Sequence, residues 1–252
     1  MRFLPSLNPT RKRILLSTWG LFAGLSLLLV TAGLFSTMVG IRAELKQLPT
    51  IVSGGITTAY YAGFLLGSWY TLRALKQVGH IRVYAALASL LSASVLITGV
   101  YDSPLVWIIM RSSTGFCFAG LYVVAESWLN GLATNTFRGR LLAMYNVVTI
   151  GAYGAGQLLV FNFDARTLTG FAFAAVVSSL AVIPVAMSEQ AATPAVENHK
   201  HITLRELAKI VPTGAGTILL VGLAHGGLLG MAVIYATREG LGVGRVGILI
   251  AA

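Results

Sequence analysis

Two charged residues interrupt a long apolar stretch of this 252-residue chain, and both are chemically suited to binding or gating. Between Pro104 and Gln157 the sequence is almost entirely apolar, yet position 111 is an arginine and position 126 is a glutamate. Charged groups are costly inside a membrane, so they usually face a bundle interior or a watery cavity. Arg111 and Glu126 are therefore the first candidates for function.

Helix geometry places these two charges on one face but keeps them apart. At 100° per residue, four positions fall within roughly 80° of one another on a single helix: Arg111, Gly115, Ala119 and Glu126. The two charges are fifteen positions apart, or about 22 Å along the axis, so they cannot pair with each other. Each needs a partner on another helix or at a membrane surface.

The composition predicts an all-α polytopic membrane protein. The chain is 56% hydrophobic and 10% charged, whereas a soluble domain carries about 25% charged residues. The single cysteine, Cys117, excludes an internal disulfide and most cysteine-based metal sites, and we predict neither a metal nor a cofactor. The net charge of +10 does not indicate nucleic acid, because the positive residues lie between apolar spans as topology signals do.

Seven apolar runs are long enough to cross a bilayer, and an eighth begins near the end of the chain. A crossing helix needs about 20 residues. The runs are 14–41, 47–72, 83–101, 103–137, 141–163, 167–188 and 210–237, with the eighth starting near Leu241. The first run has 28 residues, which exceeds the 7–15 or so of a signal-peptide core, so we predict a retained first span.

The loops divide the predicted spans into two groups. Residues 1–187 form a six-helix half, 188–210 form a cytoplasmic central loop, and 211–252 begin a second half that is truncated inside span eight. In the central loop, Thr203 and Glu206 have capping-box spacing, which predicts a short amphipathic helix on the inner surface.

The distribution of Lys and Arg predicts the orientation. With the N-terminus inside, inner segments hold twelve of these residues and outer segments hold five. The positive-inside rule then gives a multi-pass protein of the cell inner membrane with a cytoplasmic N-terminus. The exits of spans one and seven also resemble each other, since Arg42 and Glu44 are followed about 195 residues later by Arg238 and Glu239. Duplicated halves are a recurring transporter design.

Three motifs, together with this topology, resemble the major facilitator superfamily. The segment from Leu72 to Arg82 is similar to the signature G-x-x-x-D-R-x-G-R-R, in which Gly79 and Arg82 fit while Lys76 replaces the aspartate. In span four, Arg111 and Gly115 followed by Ala119 resemble R-x-x-x-G-x-x-x-A.

The third motif lies in span five and resembles the glycine-rich motif associated with antiporters, without its proline. Its residues are Gly151, Gly154, Gly156 and Gln157. The phrase from Ala125 to Leu129, followed by Arg138 and Arg140, looks most like the YcaD-like branch of the superfamily.

The resemblance implies a secondary active transporter, not an enzyme, that moves a small solute across the lipid bilayer by alternating access with proton coupling. The span-five glycines favour efflux. The 252-residue chain alone is expected not to transport, because the cavity needs both halves. The alternative is a non-transporting membrane scaffold or interaction protein derived from a transporter fold.

The candidate site residues each have two interpretations. Arg111 either snorkels to the outer surface or faces a central cavity, where Gln157 and Asn146 offer amide acceptors. His225, in the middle of span seven, is either a buried neutral residue or a contact for substrate or proton. Four tyrosines line a cavity or merely pack: Tyr60, Tyr61, Tyr145 and Tyr153.

The remaining candidates concern gating and helix packing. Glu126 is either an exposed interfacial carboxylate or an ion-pair partner of an arginine on the same side; the available arginines are Arg82, Arg138 and Arg140. By the resemblance, such a pair would be a conformational gate. Glycines at small-xxx-small spacing, including Gly63 and Gly67 as well as Gly115 with Ala119, predict close helix contacts.

Overall fold

Within the residues that the structure describes, every regular element is helical. The computed structural model describes residues 9–132, 138–188 and 204–239, and the predicted eighth span lies outside them. Its helices are α1 (Pro9–Leu45), α2 (Thr50–Val78), α3 (His80–Val100), α4 (Pro104–Leu132), α5 (Arg138–Leu158), α6 (Thr169–Leu180), α7 (Val182–Ala186), α8 (Leu204–Ile210) and α9 (Pro212–Arg238). A 3-10 turn, Leu159–Asn162, follows α5. The all-α prediction is thereby confirmed for the described residues.

Four of these helices are long and apolar enough to cross a membrane. They are Thr18–Leu45, His80–Val100, Pro104–Leu132 and the combined segment Thr169–Ala186. Each coincides with one of the apolar runs in the sequence. The total of seven complete spans stays a prediction.

Prolines account for several helix ends. Pro9, Pro104 and Pro212 are the first residues of α1, α4 and α9, a position where the missing N–H costs nothing and the fixed φ suits a helix. Pro184 has the opposite effect, because a proline ring clashes with the carbonyl four residues earlier. That carbonyl belongs to Leu180, where α6 ends.

Gly79 makes the turn between α2 and α3. Its φ of 82° and ψ of 169° lie in a region open essentially to glycine alone. Its amide closes α2 by donating to the carbonyl of Leu75 at 3.1 Å. The backbone conformation of this turn therefore explains why the first family-like motif has a glycine at this position.

The described helices form a bundle in which α9 packs beside the helices that precede it. The most extensive contact is between α2 and α4, followed by α1 with α5, α3 with α4, and α6 with both α3 and α1. The last long helix, α9, lies mainly against α1. We call the end of the bundle with the α1–α2 turn the upper end, and the end with Gly79 the lower end.

A buried arginine joins three elements at the upper end. Arg42, 5% exposed, pairs with Asp102 at 2.9 Å and donates to the carbonyl of Gly99 at 3.0 Å. Its guanidinium also lies over the Phe171 ring, 5.0 Å from the centroid. The sequence predicted Arg42 as a topology charge and as part of the span-one exit, whereas its contacts tie α1 to the α3–α4 turn and to α6.

Candidate functional site

Arg111 lies in α4 with its side chain turned into the bundle. It is 8% exposed, and its guanidinium carbon lies 4.6 Å from the ring centre of Tyr60 in α2 and 5.5 Å from that of Phe35 in α1. A side chain that snorkels to a membrane surface would extend along the outside of the bundle instead. The structure therefore favours the interior interpretation of Arg111.

Two further tyrosines complete the surroundings of this cation. Tyr61 in α2 and Tyr153 in α5 are close enough to interact electrostatically with the guanidinium. Tyr153 also lies close to Ser36 of α1. We call Arg111 and these four aromatic side chains the Arg111 box; the aromatic members are Phe35, Tyr60, Tyr61 and Tyr153.

The expected amide acceptors do not reach Arg111. Among the described residues its Nε has no hydrogen-bond partner, and no ion pair between them includes its guanidinium. Asn146 is exposed on α5. Gln157 is buried instead at the crossing of α1 and α5, where its backbone nitrogen lies beside Gly33. The expected hydrogen bonds are thus not formed, because aromatic rings occupy the space around the guanidinium.

Glu126 lies on the same helix, toward the lower end, and is exposed. It accepts a hydrogen bond from the hydroxyl of Tyr145 in α5 at 3.1 Å. Arg138 donates to the side-chain oxygen of Asn130 at 3.1 Å. The expected ion pair with Arg82, Arg138 or Arg140 is not among the ion pairs of the described residues. Glu126 is thus joined to α5 through a tyrosine hydroxyl, and the gate role of these residues stays a proposal.

The interior faces of α2, α4 and α5 connect the Arg111 box to Glu126 through aromatic residues. Tyr60 contacts Phe64 with ring centres 6.1 Å apart, and Phe64 contacts Tyr122 of α4 at 6.3 Å. Tyr122 is in turn close enough to Tyr145 and Glu126 to interact with them electrostatically. A tyrosine-rich face therefore runs from the middle of the bundle to its lower end.

A buried histidine at the lower end was missed by the sequence analysis. His80, 3% exposed, shares a hydrogen bond of 3.1 Å with the hydroxyl of Ser127, and its ring lies 5.9 Å from that of Trp128. Ser127 and Trp128 belong to the family-like phrase that follows Ala125. That phrase could have indicated the contact, which ties the α2–α3 turn to α4.

The motif glycines have different environments. A β-carbon added to Gly115 would overlap the backbone carbonyl of Tyr60, and one added to Gly156 would overlap that of Val30. Gly151 faces open space, and Gly154 is half-buried in α5. Close helix contact thus explains Gly115 and Gly156 but not Gly151.

The backbone of His225 lies in α9, while its side chain lies outside the described residues. The same helix approaches the Arg111 box one residue further along. A β-carbon added to Gly226 would lie 3.6 Å from the Tyr61 ring. The helix that begins the predicted second half therefore contacts the wall of the box.

No family model matches this chain. It is 25% identical over 233 residues to a protein of Escherichia fergusonii named "Uncharacterized MFS-type transporter YcaD", a match that covers 92% of this chain and 61% of the relative. Proteins of the same name from Escherichia coli O45:K1 (strain S88 / ExPEC) and O6:K15:H31 (strain 536 / UPEC) are 25% and 24% identical over the same lengths.

The chain is a homologue of the YcaD-type members of the major facilitator superfamily. This confirms the resemblance drawn from the motifs in α4 and α5. Homology to MFS-type transporters and four membrane-capable helices together make it a multi-pass membrane protein. The chain spans 61% of the length of the curated relatives that it matches.

Proposed function

We propose that this chain supplies the first half, and the start of the second, of a secondary transporter for a small solute. The observation that carries the proposal is Arg111, a buried cation on the interior face of a helical bundle with no carboxylate partner among the described residues. Intramembrane charges in such positions mark substrate or ion pathways. The homologous proteins are named MFS-type transporters, which supports transport rather than covalent chemistry.

The solute site lies at the Arg111 box, between the six-helix half and α9. Transporters of this kind bind substrate near the bilayer midplane, at the interface of two repeats that rock against each other. Arg111 is seven residues into α4, or about 10 Å along its axis, and Tyr61 approaches Gly226 of α9. Both observations are compatible with a site that the two halves share, to which His225, Asn146 and Gln157 belong as candidate contacts.

Proton coupling belongs to the same proposal, and Arg111 cannot itself carry the proton. An arginine is effectively never deprotonated in a protein. The carrier is therefore His225 or an acid of the part of the protein beyond this chain, and Glu126 acts as a gate at the lower end. The glycines of α5 favour efflux by antiport.

The replacement Glu126→Gln tests this division of roles. In a full-length protein that contains this segment, we expect the variant to slow pH-gradient-driven transport and substrate counterflow by a similar several-fold factor, because a gate affects both. Tyr145→Phe is the matched comparison, since it removes the 3.1 Å hydrogen bond to Glu126 and leaves the carboxylate in place. Loss of gradient-driven accumulation with intact counterflow would make Glu126 the coupling site instead. Absence of any solute flux in proteoliposomes would favour the scaffold alternative.

Cysteine labelling tests the proposed orientation in the inner membrane. After Cys117→Ala, which removes the buried native thiol, a cysteine at position 76 near the lower end is expected to react only with reagent on the cytoplasmic side. A cysteine at position 166, an exposed residue of the upper end, is expected to react only from outside. The reverse pattern would place the N-terminus outside.

A further inference from the structure

The Arg111 box holds a cation whose burial its own contacts do not offset. Burying an ion is costly even after relaxation of the protein, and a cation–π contact offsets only part of that cost. Two such contacts are present, to Phe35 and Tyr60, and the guanidinium Nε has no hydrogen-bond partner in the part of the chain that the structure describes. The rings therefore stabilise the cation without replacing the oxygen acceptors that it has lost.

Three acidic residues of the long helices and their turns have other partners or lie far from Arg111. Asp102 pairs with Arg42 and Lys46, and Glu44 pairs with Arg238, all at the upper end. Glu126 is about 22 Å further along α4. None of these three carboxylates neutralises Arg111, and none of the ion pairs between described residues includes its guanidinium. The positive charge of the box is therefore suited to one bound anion.

The shape of the box indicates which anion fits. A guanidinium presents a planar fork of N–H donors that matches a carboxylate bidentately. The walls, however, are aromatic rings rather than further cations or amides, so they suit an apolar or aromatic body better than a hydrated inorganic ion. Tyr61 is 37% exposed and forms the side of the box nearest α9.

We propose that the Arg111 box binds the carboxylate of a small organic acid, with Arg111 holding the carboxylate and the aromatic side chains packing against the apolar body. This inference rests on the proposed function and names the substrate class of that site. It assigns Arg111 and the surrounding rings to one ligand, which accounts for both the unpaired cation and the aromatic walls.

Equilibrium dialysis with radiolabelled benzoate on the purified chain in detergent tests this inference. We expect saturable binding that unlabelled cyclohexanecarboxylate displaces, while benzamide, which has a similar shape and no charge, and inorganic phosphate displace it at least tenfold less well. The variant Arg111→Gln is expected to weaken benzoate binding at least tenfold. Arg73→Gln is the matched control, because Arg73 is an exposed arginine that lies over Trp69, and its binding should equal that of the original chain.

Three results would overturn the inference: no saturable benzoate binding up to the solubility of the probe, equal displacement by benzamide, or equal displacement by phosphate. The benzamide comparison uses the unaltered chain, so it decides the question even where Arg111→Gln fails to fold. Failure of the proposed function gives a different result. Flux of a neutral solute without benzoate binding would support transport and contradict the carboxylate site. Benzoate binding without any flux in the full-length protein would support the site and contradict transport.

Discussion

Replacing Gly63 by alanine is expected to lower the free energy of unfolding by about 1–3 kcal/mol, the usual cost of overpacking a well-packed contact. A β-carbon at this position would overlap the backbone carbonyl of Ser112 in α4. Backbone cannot move aside as the end of a flexible side chain can, so α2 and α4 would have to separate. Unfolding of the detergent-solubilised chain by titration with sodium dodecyl sulfate, followed by circular dichroism, measures the change.

Gly54→Ala is the matched control in the same helix. A β-carbon there meets nothing within 4 Å, and alanine in a helix interior is favoured over glycine by about 0.5–1 kcal/mol. The two variants should therefore shift stability in opposite directions. If Gly63→Ala proved as stable as Gly54→Ala, close approach of α2 and α4 at this crossing would not be required.

The same crossing sets the width of the proposed solute site. Gly115 lies against the carbonyl of Tyr60, and Gly67 lies against that of Phe116, so three glycines bring α2 and α4 together over two turns. Tyr60 is also the ring nearest to the Arg111 guanidinium, at 4.6 Å. Spacing between these helices therefore controls both the stability of the bundle and the geometry of the Arg111 box.

Much of this arrangement could be predicted from the sequence. Long charge-free runs predicted the helices, because a bilayer leaves few other solutions for the backbone. Small-xxx-small spacing predicted Gly63 and Gly67 as contact residues, and the cost of an intramembrane charge predicted an interior position for Arg111. These are one-dimensional signals, which depend only on which residues recur along a single helix.

Contacts between helices could not be predicted in the same way. From the sequence, amide acceptors were predicted for Arg111 and arginine partners for Glu126, because only the chemical complementarity of the groups could be used. Which face of α5 meets α4 depends on the angle and register of the two helices, and that register brings Tyr145 to Glu126. Arg42 was counted as a topology charge for the same reason, since its partner Asp102 is sixty residues away along the chain.

The exits of spans one and seven show what could be predicted from the sequence and what could not. Their similarity about 195 residues apart was visible in the sequence, but their contact was not. In the structure Arg238 reaches Glu44 with two parallel contacts, Nε to Oε1 and Nη2 to Oε2, each 3.2 Å long. Arg238 also donates to the Thr50 hydroxyl at 3.5 Å. The upper ends of α1, α2 and α9 are thereby joined.

The proposed alternating access requires this contact between the two predicted halves to open once in each cycle. Glu44 belongs to the predicted six-helix half and Arg238 to the helix that begins the predicted second half, so a covalent link between these positions is expected to reduce transport to background. The test uses Glu44→Cys with Arg238→Cys in a full-length protein that lacks other cysteines, joined by a short bifunctional methanethiosulfonate reagent. Such a reagent spans a distance similar to that of the two side chains, and reduction should restore transport.

Loss of the ion pair between Glu44 and Arg238 is expected to change transport much less than the crosslink does. The single-cysteine variants therefore serve as controls. Arg238 is half exposed, and exposed ion pairs contribute about 0.2–1 kcal/mol, or at most about fivefold in a conformational equilibrium. Each single-cysteine variant treated with the reagent should therefore retain at least about a fifth of the original rate. Asp164→Cys with Thr167→Cys, two residues that contact each other within one loop of the upper end, should crosslink without loss of transport. Undiminished transport by protein shown to be fully crosslinked between positions 44 and 238 would mean that α1 and α9 do not separate there.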